Sequence, residues 1–216
     1  IVTLWELLGD PVAGLDWVGA LLNARGRVLP MALEPLVIQG IVLREHGGAF
    51  ERVQVRGQVN LAHEPQVHNI ELVPAQARAC PEALASIEEA DWVVLGPGSW
   101  RTSVLPHLLL REQCEALSTT NAKRCVVMNL ALDDKESNGL DASAHLKLLQ
   151  QYAPNLRLDV VIADPSNMGV QSEFEDAARE LGAKVLWASV RSTTNPNVHD
   201  PLKLASAYND MFAMRL

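Results

Sequence analysis

The spacing of apolar residues changes twice along the 216-residue chain and divides it into three parts. Over residues 1–33 apolar residues recur every three or four positions, which predicts two helices, the second over 11–24. Over residues 34–74 they form short alternating or β-branched runs between glycine turns, which predicts a β-rich arm of antiparallel hairpins. Over residues 75–216 short apolar runs alternate with helical patterns, which is typical of βαβ units around a parallel sheet.

The same patterns place the individual elements. In the arm we expect strands over 36–43, 50–55, 59–62 and 67–73. Beyond the arm we expect strands over 92–95, 125–130, 158–163 and 184–188 and helices over 81–89, 104–117, 142–152, 173–181 and 201–212. The predicted fold class is therefore α/β: a Rossmann-like, doubly wound, mainly parallel sheet with a β-rich antiparallel arm. The arm either covers a site or meets a partner subunit, which would make a homodimer, or it is a simple edge extension.

The stretch that carries most information follows the buried strand predicted over 92–95. It begins with the glycine loop Gly96-Pro97-Gly98-Ser99 and continues into a helix. Loops at the carboxyl ends of parallel strands are where open α/β sheets bind ligands. The two glycines leave room for a ligand to approach the backbone, and the hydroxyls of Ser99, Thr102 and Ser103 lie beside free amides at a helix start, which suits a phosphate. The alternative is a tight turn with Ser99 as a helix cap.

Two other predicted strands end in polar residues. Asn129 and a polar loop over 133–139 follow the strand over 125–130, and Asp164 follows the strand over 158–163. Because parallel strands end at the same edge of a sheet, we expect these residues to lie near the glycine loop. Trp100 either stacks on a base or covers a hydrophobic seam. Arg101 could place a cation beside a phosphate.

Composition narrows the function classes. The formal net charge of −8 argues against a nucleic-acid surface, and no apolar run approaches the roughly 20 residues of a membrane-spanning helix. The three cysteines are widely spaced without a C-x-x-C pair, which disfavours zinc and disulfide frameworks and indicates a reducing cytoplasm. The acidic cluster at 133, 134 and 136 is interpreted as a solvated loop rather than a metal site. A serine-hydrolase site is excluded because no G-x-S-x-G occurs.

The chain opens without methionine and without a basic segment, so we do not expect its first residues to form a signal peptide. Apolar residues already fall at helical spacing from Ile1, so we expect that an N-terminal part is missing.

Four stretches in this order resemble the CofD/YvcK-like family, which is also described as the 2-phospho-L-lactate transferase-like and gluconeogenesis-factor family. They are Leu4-Trp5-Glu6-Leu7 with Gly9-Asp10-Pro11; Gly26-Arg27-Val28-Leu29-Pro30-Met31-Ala32; Val94-Leu95-Gly96-Pro97-Gly98-Ser99 with Thr102-Ser103-Val104-Leu105-Pro106; and Asn129-Leu130 with Glu136, Gly139 and His145-Leu146. The resemblance covers essentially the whole chain and is closer to the bacterial YvcK branch.

The resemblance implies a nucleotide site at the strand ends. In the YvcK branch the ligand is a UDP-sugar, typically UDP-N-acetylglucosamine, and the role is regulatory, in gluconeogenic growth, cell-wall supply and cell shape. In the CofD branch the protein is a transferase that moves a phospholactyl group to a deazaflavin, and only there would Mg²⁺ be expected. Carried over, the candidate ligand contacts are Gly96, Pro97, Gly98, Ser99, Thr102, Ser103 and Asn129, with Trp100, Arg101, Glu136 and Asp164 as a second tier.

This sequence also departs from the family pattern. The family's N-terminal glycine-rich loop and acidic segment, which would supply much of the nucleotide and metal contact, are absent because the chain begins just after them. Trp100-Arg101 replaces the residues more usual after the glycine loop, and Lys135-Glu136-Ser137 replaces a Gly-Glu-Thr. The resemblance therefore implies a site to which these residues contribute only a part.

Overall fold

A computed structural model of the protein describes residues 2–64, 67–130, 141–167 and 169–214. Its helices are α1 (Val2–Leu8), α2 (Pro11–Leu21), α3 (Gln58–His63), α4 (Pro81–Glu88), α5 (Leu105–Leu109), α6 (Arg111–Thr119), α7 (Ala142–Tyr152), α8 (Gln171–Glu180) and α9 (Pro201–Ala213). Its strands are β1 (Val37–His46), β2 (Ala49–Arg56), β3 (His68–Val73), β4 (Trp92–Leu95), β5 (Lys123–Val127), β6 (Val160–Ala163) and β7 (Lys184–Trp187). The α/β class with a parallel sheet and an antiparallel arm is confirmed.

The arm is a three-stranded antiparallel sheet in the order β2-β1-β3. Gly47 and Gly48 both have positive φ, +61° and +81°, as the two-residue turn between β1 and β2 requires. The inner face of the sheet packs against the helices of the α/β part, with Val42 and Leu61 buried in the same core as Leu105. The arm is therefore anchored through its inner face.

Two predicted elements were wrong. The strand predicted over 59–62 is helix α3, because Gly57, at φ +92°, turns the chain away from β2 and only Leu61 of this segment is fully buried. A short apolar pattern does not separate one helical turn from a strand. The single helix predicted over 104–117 is broken at Leu110, whose backbone is extended (φ −80°, ψ 108°), into α5 and α6.

The second sheet is parallel, in the order β4-β5-β6-β7. Each strand lies beside the one before it, so the connecting helices pack together on one face, where Val126 and Val161 meet Phe174 of α8. The other face carries Cys125 and Ile162 and is covered by α9. The carboxyl ends of all four strands lie at the same end of the sheet, and β4 and β7 are its two outer strands. The candidate site lies at this end, beside β4.

Along the described residues, no helix combines the length and the apolar character that crossing a membrane requires.

Candidate functional site

The glycine loop lies at the carboxyl end of β4 and is held by the residue that follows β5 almost directly. The side-chain amide of Asn129 donates from Nδ2 to the Gly98 carbonyl oxygen at 2.8 Å. The Gly98 amide donates in return to Asn129 Oδ1 at 3.0 Å. This two-bond clamp brings together two of the three strand ends that were expected to meet. Asn129 fixes the conformation of the loop and lies at its side, half-buried.

The glycines of the loop serve internal packing. A Cβ atom on Gly96, whose φ is +79°, would lie 2.9 Å from the Val127 carbonyl oxygen of β5. A Cβ on Gly98 would lie 3.3 Å from the Ser103 Cβ. The expectation that both glycines clear space for a ligand is therefore corrected for Gly96, where the missing side chain lets the loop pack against the neighbouring strand. The Gly96–Pro97 peptide is cis.

Alanine at Gly96 should destabilise the protein more than alanine at Gly47. Both residues have positive φ, which costs a non-glycine residue roughly 1–2 kcal/mol. Only at Gly96 does the added methyl group also collide with backbone, since nothing lies within 4 Å of a Cβ at Gly47. We expect Gly96→Ala to lower the free energy of unfolding by about 1–3 kcal/mol more than Gly47→Ala, measured by urea unfolding. Equal losses would show that the loop can move away from β5.

The helix after the loop begins with the cap that the sequence allowed as an alternative. Ser99 Oγ accepts from the Thr102 amide at 3.0 Å and from Thr102 Oγ1 at 2.6 Å. Residues Trp100–Val104 form a π-helical turn, a rare geometry that is frequent at functional sites. Ser103 and Pro97 are exposed, and Ser99 and Thr102 are half-buried, so this side of the loop faces solvent. The cap fixes the loop without covering it.

Trp100 and Arg101 turn inward. Trp100 is 5% exposed and its ring lies 5.2 Å from that of His145, so it covers a hydrophobic seam and offers no open face to a base. Arg101 is 7% exposed and donates from Nη1 to the carbonyl oxygens of Glu64, at 2.5 Å, and Leu61, at 3.4 Å. The expectation of a cation beside a phosphate is corrected: Arg101 ties the start of the helix to α3 and the residue that follows it.

Asp164, at the end of β6, is also a structural residue. Its side chain is 2% exposed and accepts from the Ser166 and Val190 amides, both at 3.0 Å, and from Arg191 Nε at 3.2 Å. Arg191 Nη2 also donates to the Leu130 carbonyl oxygen at 3.1 Å. The pair therefore joins the ends of β5, β6 and β7, and the expectation that Asp164 contacts a ligand is corrected.

The pKa of Asp164 reflects this environment. Burial by itself raises the pKa of the carboxyl group, because it disfavours the charged form. Hydrogen bonds from Ser166 and Val190 and the charge of Arg191 outweigh burial, and they hold the pKa of Asp164 below its ordinary value. The folded state thus keeps this carboxylate ionised.

A cavity of about 200 Å³ opens beside the loop, along the outer edge of β4. Gly96, Ser103 and His107 line it, and His107 Nδ1 lies 3.1 Å from Oε1 of Gln113, which also lines it. Neither residue was among the predicted site residues, because the break at Leu110 that lets the two side chains meet leaves no local pattern in the sequence. Two larger grooves, of about 420 and 770 Å³, lie along α6, and none of the predicted site residues line them.

One second-tier residue, Glu136, lies outside the described residues.

Comparisons with known proteins give the family. A family profile described as 2-phospho-L-lactate transferase CofD matches residues 1–191. A putative gluconeogenesis factor of Mycobacterium tuberculosis is 38% identical over 214 residues, 97% of this chain and 62% of the relative. One from Mycobacterium leprae is 39% identical over 208 residues, 94% of this chain and 58% of the relative. The chain thus spans about three fifths of the length of these curated relatives.

A solved structure gives the same fold. The crystal structure of a UPF0052-family protein from Bacillus halodurans superposes with a TM-score of 0.78 at 24% identity, covering 95% of this chain and 69% of that one. This likeness extends over the arm and the parallel sheet together, since it covers nearly the whole chain.

Proposed function

The chain belongs to the CofD family, its relatives include gluconeogenesis factors, and on that premise we propose that it binds a UDP-sugar, with UDP-N-acetylglucosamine as the first candidate. The proposed site is the glycine loop with Thr102, Ser103 and Asn129. The role is regulatory: ligand occupancy adjusts the flow of carbon toward the cell wall and thereby cell shape.

One observation carries the proposal. The glycine loop, a capped helix start and the Asn129 clamp converge at the carboxyl edge of the parallel sheet, on a surface that is open to solvent. Donors at a helix start bind phosphate without a lysine or arginine, which suits a chain with a net charge of −8. The Gly98 and Thr102 amides already donate to Asn129 and Ser99, so the donors proposed for the phosphate are the Trp100 amide and the exposed Ser103 hydroxyl. The adjoining cavity of about 200 Å³ would take a part of the ligand beyond the diphosphate.

A second candidate is the phospholactyl transferase, which the description of the matching profile favours. A transferase of that type acts on a nucleotide-activated donor, and Mg²⁺ would assist only there. Calorimetric titration separates the two candidates. Heat with UDP-N-acetylglucosamine supports the regulator, heat only with a guanosine nucleotide supports the transferase, and heat with neither contradicts a nucleotide site.

The hydroxyls of the site supply a sharper test. The pair Ser99→Ala with Thr102→Val removes both hydroxyls and with them the cap that fixes the loop. We expect it to weaken UDP-N-acetylglucosamine binding by about 1–3 kcal/mol in calorimetry. The matched control is Ser118→Ala with Thr119→Val, which removes the same groups from the larger groove along α6. There both hydroxyls donate only to carbonyl oxygens of their own helix, at 2.7 and 2.9 Å. Binding that weakens in the control and stays unchanged in the first pair would move the site to that groove.

The proposed location is the cytoplasm. Cys80 and Cys125 are buried free thiols. Burial raises the pKa of the Cys125 thiol to about 12, so this residue behaves as a core side chain. Three unpaired cysteines in a chain of this size fit a reducing compartment.

A further inference from the structure

The arm presents an open strand edge. In the order β2-β1-β3, β2 is outermost, and within the described part of the chain no strand pairs with its outer edge. In a hairpin closed by a two-residue turn, the residues that flank the turn exchange both backbone hydrogen bonds. These are His46 and Ala49. Along β2 the backbone N–H and C=O groups of successive residues point alternately toward β1 and away from it. Those of residues 50, 52, 54 and 56 therefore point to the open edge.

The solvent face of this edge carries exposed apolar side chains. Val42 of β1 and Val55 of β2 face the core, at 2% and 8% exposure. Because side chains alternate along a strand, the odd-numbered side chains of β1 and the even-numbered side chains of β2 lie on the opposite face, toward solvent. Among these, Phe50 is 72% and Leu43 is 45% exposed, on neighbouring strands of one face. Proteins usually protect an open edge from pairing, and exposed apolar groups beside one mark a contact surface.

We propose that β2 pairs antiparallel with β2 of a second copy of this chain, around a twofold axis at Val53. The two three-stranded sheets then form one continuous six-stranded sheet. The pairing satisfies the outward backbone groups of both copies.

The charges along β2 select this register. A twofold axis normal to the sheet keeps each side chain on its own face, and residues opposite each other must share a face. The axis must therefore set one residue opposite the same residue of the partner, rather than lie between two positions. An axis at Glu51 or at Arg52 sets that charge opposite itself. An axis at Gln54 sets Arg52 opposite the partner's Arg56. Like charges directly opposite destabilise a sheet, so these three registers are disfavoured.

An axis at Val53 places no like charges directly opposite each other. Arg52 lies opposite the partner's Gln54, and Glu51 lies opposite the partner's Val55. Phe50 lies opposite the partner's Arg56, whose guanidinium and stem can cover the exposed ring. Among the registers that pair at least five residues of β2, this is the one that sets no like charges directly opposite each other. This self-complementarity identifies a second copy as the occupant of the edge.

Gln54 gives a matched pair of variants, because it is exposed and lies opposite the partner's Arg52 twice in the dimer. We expect sedimentation velocity to show a concentration-dependent dimer of the wild-type chain. Gln54→Glu should tighten dimerisation and Gln54→Arg should weaken it, each by about 2- to 30-fold in Kd. A chain that stays monomeric at all concentrations, or a dimer with equal Kd in both variants, would overturn the proposal.

Crosslinking tests the register itself. Val53 faces its counterpart as a non-hydrogen-bonded pair, with Cα atoms about 4.5 Å apart, which is within the range of a disulfide. Val53→Cys should form a covalent dimer under mild oxidation, above the background of the wild-type cysteines. Arg52→Cys is the control, because its thiol lies opposite the partner's Gln54. Crosslinking through position 52 in preference to position 53 would contradict the register.

Discussion

Replacing Asp164 with asparagine should lower the free energy of unfolding by about 3–5 kcal/mol, the cost of breaking a buried ion pair from one side. An amide keeps the shape of the side chain but turns one acceptor into a donor, which then faces the Val190 amide or the Arg191 guanidinium. The Arg191 charge also loses its counterion at a side chain that is only 20% exposed. Urea unfolding at neutral pH measures the loss.

The exposed ion pair between Asp16 and Arg27 provides the control. Its side chains are 42% and 49% exposed, so Asp16→Asn should leave the unfolding transition within experimental error. Equal effects of the two substitutions would contradict the structural role of Asp164.

The same carboxylate makes the protein sensitive to acid. Because the folded pKa of Asp164 lies below its ordinary value of 3.8, its stabilising contribution is present above that pH and is lost as the pH falls through the folded pKa. The free energy of unfolding should therefore decline below about pH 4 in the wild type. The decline should be shallower in Asp164→Asn, which has lost this titrating group.

Replacing Asn129 with aspartate should separate ligand binding from stability. The nearly isosteric carboxylate still accepts from the Gly98 amide, but it sets an anionic oxygen against the Gly98 carbonyl oxygen in place of a donor, which costs about 1–3 kcal/mol of stability. The added negative charge lies against the glycine loop, where the diphosphate is proposed to bind. At about 4 Å, repulsion between unit charges weakens binding by roughly 1–4 kcal/mol.

Asn129→Leu is the companion variant. It removes both hydrogen bonds to Gly98 and adds no charge, so it should lower stability without placing a negative charge beside the proposed diphosphate. Calorimetry and urea unfolding on both variants give the two readouts. If aspartate lowers the affinity no more than leucine does, Asn129 acts only on the fold and the diphosphate lies elsewhere.

Local patterns predicted the elements that bury regular apolar faces. The four parallel strands lie within three residues of the bounds that the short apolar runs predicted. Asn129 lies at the glycine loop, as expected for parallel strands that end together. The strands follow from the local spacing of apolar residues, and the meeting of their ends follows from the topology of a parallel sheet. The meeting of Asn129 with the glycine loop could therefore be predicted from the sequence.

The roles of individual residues around the glycine loop could not be predicted from the sequence. Arg101 bonds to carbonyl oxygens 37 and 40 residues earlier, and Asp164 bonds to Arg191, 27 residues later. A charged residue in a polar loop suggests solvent or ligand, and only the tertiary fold reveals that its partner is protein. Gly96 illustrates the same limit, because its close neighbour is the backbone of another strand.

The location of the site is tested most directly by following backbone and side-chain amides in ¹⁵N-resolved NMR spectra during titration with UDP-N-acetylglucosamine. We predict that the largest shifts fall on the amides of Gly98 to Ser103 and on the Asn129 side chain. Saturable binding with these signals unmoved, and shifts centred instead on the grooves along α6, would contradict the account.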